Sequence, residues 1–459
     1  MHRYDEAMER LSAEVLDYAR NRMSMDPVPL DGPWTYQELD EGAGQTITAG
    51  GIGGSAALGL FDRVLSNACL SVDHPRYLSF IPAAPTEAAT LFDLVVGASS
   101  LYGGSWLEGA GAVYAENQAL RWVADLAGLP AEAGGVFVQG GTVGNLSALV
   151  AARHTMRART EHEAAAAGRE VPRPRWVVAA AASSHSSVSA SCDVMDCGVV
   201  GVNTDDDGRL TGDALAAAFP DPASRKGLFA VVATAGTTNV GIVDDIASIA
   251  RFCSEHGIWL HVDGAYGGAA LAAPSARALF NGIEQADSFI VDPHKWLFAP
   301  FDCCALVYRD PALARAAHTQ RAGYLDVLTE SGEWNPSDYA IGLSRRARGL
   351  PFWFSLATHG SDAYTAAVER TLAVARHAAR EVRRRTYVEL LREPDLSVVL
   401  FRRTGWTAQQ YRRWSDRLLA ANFAFVVPTM HEGETVTRFC VVNPRTSEAD
   451  IDAILDTMA

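Results

Sequence analysis

The sequence predicts an α/β protein, a mostly parallel sheet covered by helices with a smaller α+β unit behind it. Three observations carry this. Seven short β-branched or apolar runs (GVFVQ, RWVVAAA, GVVGV, LFAVVATA, IWLHVD, SFIVD and CALVYR) alternate with segments of helical spacing from about residue 112. Short runs of this kind suit strands buried on both faces, as in a parallel sheet. From about residue 365 the order changes to helix, strand, helix, two strands and helix. At 459 residues, the chain is also too long for one ordinary domain.

Taken in order, residues 4–22 read as a helix. The Pro/Gly-rich stretches DPVPLDGP and ITAGGIGGSA follow, and then a second helix near 56–70. HPRYLSFIPAAP leads to a third helical stretch near 85–98. AENQALRWVADLAGL spaces its apolar residues by three and four, which is one face of a helix. After the seven strands, AYTAAVERTLAVARHAAREVRRR predicts a long helix, SVVLFR a strand and TAQQYRRWSDRLLAA a helix. FAFVVP and TVTRFCVV then predict strands, and a final helix closes the chain. The expected division is 1–82, 83–364 and 365–459, with no internal repeat.

Composition narrows the function. With 48% hydrophobic and 20% charged residues the chain is globular, and its net charge of −15 argues against nucleic acid or an anionic membrane surface as partner. The N-terminal stretch MHRYDEAMERLSAEVLDYARNR is amphipathic and acidic, unlike a signal peptide, and no apolar run reaches membrane-spanning length. The seven cysteines lack scaffold density and form no CxxC pair, so reduced thiols and a cytoplasmic location are expected. Cys192, Cys197 and His185 come nearest to a zinc pattern, but the spacing is poor and no metal is expected.

Of the 39 Lys and Arg residues only two are lysine, Lys226 in SRKG and Lys295 in DPHKW. A guanidinium stays protonated, whereas a desolvated amine can lose its proton and attack a carbonyl. An imine-forming residue must therefore be lysine. Lys295 lies between the apolar stretches SFIVDPH and WLFAPF, whereas Lys226 lies in a polar segment.

Ligands of open parallel sheets bind at the carboxyl ends of the strands. There the sequence places Gly140-Gly-Thr-Val-Gly-Asn145 opening a helix, His185 in SSHSS, Thr234 before Gly236-Thr-Thr-Asn239, and Asp263. A glycine turn into a helix presents N–H groups to an anion. Asp263, at the end of IWLHVD, has no basic neighbour in sequence and needs a cation from the fold or a ligand. Pyridoxal phosphate uses all of these together. It takes a lysine for its aldehyde, an acid for its ring nitrogen, a stacking face and a phosphate cup.

With SSHSSV, HVDGAY, DPHKW and TRFCVVNPRTSEADID in this order, the chain resembles group II pyridoxal-phosphate-dependent amino-acid decarboxylases, relatives of aromatic-L-amino-acid decarboxylase. The resemblance starts at HPRYLSFIP and covers nearly the whole chain. It implies a fold-type I enzyme in which Lys295 binds the cofactor aldehyde, Asp263 the pyridinium and His185 stacks on the ring. Ala265 would pack beneath the ring and Thr234 close to it. Gly141, Thr142 and Val143 would bind the phosphate, and His294 would border cofactor and substrate. Asp292 stands where relatives carry a phosphate-binding Asn or an Asp. Tyr324, in GYLD, matches a loop tyrosine that protonates Cα after CO2 leaves. The resemblance also implies a homodimer joined through residues 1–82, with its active site at the subunit interface.

The pocket departs from the family pattern. Phe80-Ile-Pro-Ala83 lacks a Thr common in relatives, Gly104 replaces an aromatic wall, Tyr102 adds bulk nearby, and Ser344 replaces a frequent Gly. Aromatic L-amino acids are the expected substrates, ahead of aliphatic or acidic ones. The rival readings are an aldehyde synthase of the same family, against which Tyr324 argues, an aminotransferase or aldolase of the same fold, and a non-catalytic cofactor-binding regulator.

Overall fold

The computed structural model describes residues 2–172, 174–320 and 332–459. All seven runs form strands: β1 (Gly134–Val138), β2 (Val177–Ala181), β3 (Gly198–Val202), β4 (Leu228–Thr234), β5 (Trp259–Asp263), β6 (Ser288–Val291) and β7 (Cys304–Tyr308). They make one sheet in the order β1-β7-β6-β5-β4-β2-β3. Only β7 runs against its neighbours. The carboxyl ends of the other strands therefore share one edge.

Helix Gly141–Ala166 sets the connectivity. It begins just after β1 at one side of the sheet and packs on β4, β5, β6 and β7 on its way to β2 near the other. Small residues let it lie close. A Cβ on Gly144 would come within 2.8 Å of Ile290 on β6. Among the described residues, no helix is long and apolar enough to cross a membrane.

A second, antiparallel sheet orders β10 (Pro428–His431), β11 (Glu434–Cys440), β9 (Val398–Arg403) and β8 (Val388–Leu390). Helices Ser361–Arg384, Ala408–Ala420 and Glu448–Asp456 cover it, the last two opened by the capping boxes of Thr407 and Ser447.

Two expectations need correction. FAFVVP is not a strand. Only Phe425 pairs, by a bridge to Tyr77, because its backbone partner is the N-terminal segment; the strand begins at Pro428. The helix expected near 56–70 is an α-helix only over Gly54–Leu60 and then passes through a π turn and a 3-10 turn ending at Ala68. Its glycine-rich start gives little helical propensity to keep one geometry. A short helix, Tyr36–Ala43, also stands in the Pro/Gly-rich crossing.

Buried hydrogen bonds help tie the second sheet to the cavity region. Tyr266, just after β5, has its hydroxyl 2.5 Å from Ser397 Oγ and accepts from Ser397 N at 3.0 Å. Tyr266→Phe removes both bonds and leaves a buried N–H without a partner. We expect a loss of about 1–3 kcal/mol in chemical denaturation. An unchanged unfolding midpoint would show that this tie carries no stability.

Candidate active site

Alternation in β5 builds the floor of the site. Side chains of a strand alternate between faces, so Trp259, His261 and Asp263 share one face and Leu260 and Val262 the other. Parallel register sets Thr234 of β4 opposite Asp263, and Asp263 opposite Ile290 of β6. Strand-end residues far apart in sequence thus meet at one level.

They line a cavity of about 390 Å³. Gly141, Thr142, His185, Thr234, Asp263, Ala265, Asp292, His294 and Lys295 all face it. Val143 does not; its side chain packs into the core, and its amide donates to the Gly140 carbonyl at 3.0 Å. The amides of Gly141 and Thr142 make no hydrogen bond among the described residues. Gly236 borders the cavity at φ +106, where an added Cβ would meet Tyr266 at 2.9 Å, so only glycine suits that turn.

The charges are divided between two carboxylates. Asp292, 1% exposed, takes the Lys295 amine on Oδ2 at 3.0 Å. Burial of Lys295 disfavours its charged form, but the carboxylates of Asp292 and Asp263 outweigh this and raise the amine's pKa above the ordinary lysine value. Lys226 stands exposed in a turn instead. His294 is pushed toward its neutral form by burial, with Nδ1 2.7 Å from the Cys303 carbonyl.

Asp263, 6% exposed, makes no ion pair among the described residues. It accepts only from Asn145 Nδ2 at 2.8 Å and from the Ala265 amide at 3.1 Å. Neither Asn145, which closes the glycine turn, nor Ser187, which bonds His185 Nδ1 at 2.8 Å, was assigned a role from sequence. One signal was present: Asn145 lies one helical turn after Gly141, on the side that faces the sheet.

The residues expected to bind substrate lie elsewhere. Ala83 lines an adjoining cavity of about 560 Å³ that shares Phe301 with the first. Phe80 is exposed, at φ +51. Tyr102, Gly104 and the exposed Ser344 form a separate cluster, in which Tyr102 donates to the Leu343 carbonyl at 2.7 Å. A Cβ on Gly104 would lie 2.3 Å from the Tyr102 hydroxyl, so the tyrosine ring fills the space that the glycine leaves. Tyr324 lies outside the described residues.

Pyridoxal phosphate fits the cavity on four counts. Among the described residues the Thr234 hydroxyl is a buried polar atom without a partner, Asp263 is a buried carboxylate in no ion pair, and the Gly141 and Thr142 amides are free. A cationic ring nitrogen, a phenolic oxygen and a phosphate would satisfy such groups. Lys295 supplies the amine for the aldehyde.

Comparison with known proteins agrees. Residues 57–404 match the conserved domain of pyridoxal-dependent decarboxylases. The chain is 28% identical to the aromatic-L-amino-acid decarboxylase of Bacillus atrophaeus, over 98% of this chain and 94% of that protein. It is 29% identical to the L-2,4-diaminobutyrate decarboxylase of Rhizobium meliloti, over 89% and 82%. The crystal structure of Oryza sativa TDC with PLP and tryptamine superposes with a TM-score of 0.87 at 25% identity, covering 98% of this chain and 96% of that one. By sequence, fold and cavity chemistry together, the chain belongs to the pyridoxal-dependent decarboxylase family, carboxy-lyases that act on amino acids with pyridoxal 5′-phosphate as cofactor.

Proposed function

We propose that the chain decarboxylates an aromatic L-amino acid to an amine, as a homodimer. One observation carries the choice of substrate. The 560 Å³ cavity beside the cofactor site is walled by Ala83, Phe298, Pro300 and Phe301, and its two arginines are already engaged, Arg22 by Asp73 and Arg445 by Asp26. An acidic side chain would find both of these arginines committed, whereas an apolar ring would bury well.

The residues then take the following roles. Lys295 holds the cofactor, Asp263 keeps its ring nitrogen protonated, and the amides of Gly141 and Thr142 hold its phosphate. Thr234 Oγ1 and Ala265 border the ring. His185 stacks on the ring and faces the substrate carboxylate. Bound pyridoxal phosphate supplies an electron sink for the charge that develops at Cα. Tyr324, on the strength of its sequence match alone, returns a proton to Cα. Seven free thiols support a reducing, cytoplasmic setting.

The dimer reading rests on surface. Leu91, Leu94 and Val95 of helix Glu87–Ala98 are exposed together with Leu107 and Tyr114 of helix Trp106–Leu126 and with Ile341. These lie beside the Tyr102–Gly104–Ser344 cluster, so a second copy seated there would cover that cluster. Exposed apolar area of this kind marks an interface.

Four outcomes are expected. Borohydride should fix the cofactor to the peptide carrying Lys295, and an amino-acid panel assayed for CO2 and amine should give the highest kcat/KM with an aromatic substrate; labelling at Lys226, or preference for an acidic substrate, would defeat the reading. Because the Lys295 amine is held protonated beside Asp292, reconstitution of cofactor-free protein should quicken as pH rises from about neutral toward the amine's raised pKa. A rate that falls over that range would contradict this. Finally, analytical ultracentrifugation should find wild type at twice the chain mass and the double variant Leu107→Arg, Tyr114→Glu as monomer; a dimeric double variant would place the interface elsewhere.

A further inference from the structure

Beneath the cavity, hydrogen bonds run along one face of β5. Trp259 Nε1 donates to Ser288 Oγ at 2.9 Å, and that oxygen lies 2.8 Å from His261 Nδ1. His261 Nε2 lies 2.8 Å from Asn145 Oδ1. Asn145 Nδ2 then reaches both Asp263 Oδ2 and Ser187 Oγ at 2.8 Å, and Ser187 Oγ reaches His185 Nδ1 at 2.8 Å. Apart from His185, every member is at least nine-tenths buried.

The two ends force the direction of every hydrogen. A carboxylate can only accept, so Asn145 must present its NH2 to Asp263 and its carbonyl to His261. His261 therefore carries its hydrogen on Nε2. Burial pushes this imidazole down to about 4 despite the nearby Asp263 carboxylate, so it is neutral and its Nδ1 accepts from the Ser288 hydroxyl. The indole can only donate, which closes that end with Ser288 as acceptor. On the other branch, Ser187 accepts from Asn145 and gives its own hydrogen to His185 Nδ1. The Ser187 amide also donates to Nδ1, at 3.1 Å, so the His185 hydrogen sits on Nε2.

We propose that Asn145 and His261 are positioning residues of the decarboxylase, whose one-way hydrogen-bond chain holds the Asp263 carboxylate in place and His185 as its Nε2–H tautomer. A single source thereby sets both the acid that meets the ring nitrogen and the N–H available to a substrate carboxylate. The inference rests on the roles given to Asp263 and His185 above.

The test is nuclear magnetic resonance of 15N-histidine-labelled holoenzyme, joined to cofactor affinity by fluorescence titration. In wild type at neutral pH, His261 should appear as the neutral form with its hydrogen on Nε2, and the His185 signals should report Nδ1 as a hydrogen-bond acceptor. Asn145→Ala should let His261 populate both neutral forms and weaken cofactor binding by roughly tenfold, because a buried carboxylate loses a donor. A His261 hydrogen on Nδ1, or a charged His261, overturns the chain in wild type without any variant. Unchanged cofactor affinity in Asn145→Ala overturns its link to the site. If that variant does not fold, Ser288→Ala should loosen the His261 tautomer from the other side, and a fixed tautomer there counts against the chain. Asp263→Ala separates the two readings: cofactor held as tightly as in wild type would sink the site assignment while the wild-type tautomers still stood.

Discussion

A carboxylate buried at the end of a strand, with neutral donors around it and no ion pair among the described residues, is the constraint on which this molecule turns. Moving an anion out of water costs several kcal/mol unless charge or hydrogen bonds replace the lost solvent. Asp263 has two such bonds, from Asn145 and from the Ala265 amide. Both depend on the large sheet. The amide is placed by the turn after β5, and Asn145 by the long helix that starts after β1 and crosses the sheet face. The remaining demand is electrostatic and is met when a cation binds. A bound cationic ring would meet that demand, which ties cofactor binding to stability.

The same few ångströms hold a second carboxylate under different terms. Asp292 faces a lysine amine 3.0 Å away, whereas Asp263 faces an amide side chain. Two identical functional groups are thus assigned different partners by their neighbours alone. Glycines supply the room: at Gly141 an added Cβ would lie 3.1 Å from Ala265 and 3.4 Å from Asp292. Substitution there would crowd the groups that a ligand must reach.

Much of this was legible in the sequence because strands of a parallel sheet advertise themselves as short apolar runs and ligands gather at their carboxyl ends. Thr234 and Asp263 were picked out that way, Lys295 by the scarcity of lysine, and Asp292 only through the family resemblance. Ser187, His261 and Ser288 were not, and Asn145 entered only as the end of the glycine turn, since polar residues in or beside apolar runs look like isolated exceptions until the register is known. The period-two pattern of Trp259, His261 and Asp263 was the available clue. FAFVVP misled because its β-branched and aromatic content suited a strand, while its actual partner, Tyr77, lies hundreds of residues away. The placement of Ala83 in one cavity and of Tyr102 in a distant cluster depends on packing that no local pattern encodes.

The contact between Tyr102 and Gly104 bears on how this cluster can change over evolutionary time. Because the phenol occupies the volume a side chain at 104 would need, neither position is free to drift alone. A larger residue at 104 collides unless 102 has first become small, and a small residue at 102 opens a void and frees the Leu343 carbonyl unless 104 fills it. The pair therefore forms an epistatic couple with two packed solutions separated by poorly packed intermediates. Combinatorial libraries that vary both positions together can reach the second solution, while one-at-a-time scanning would record each step only as a loss.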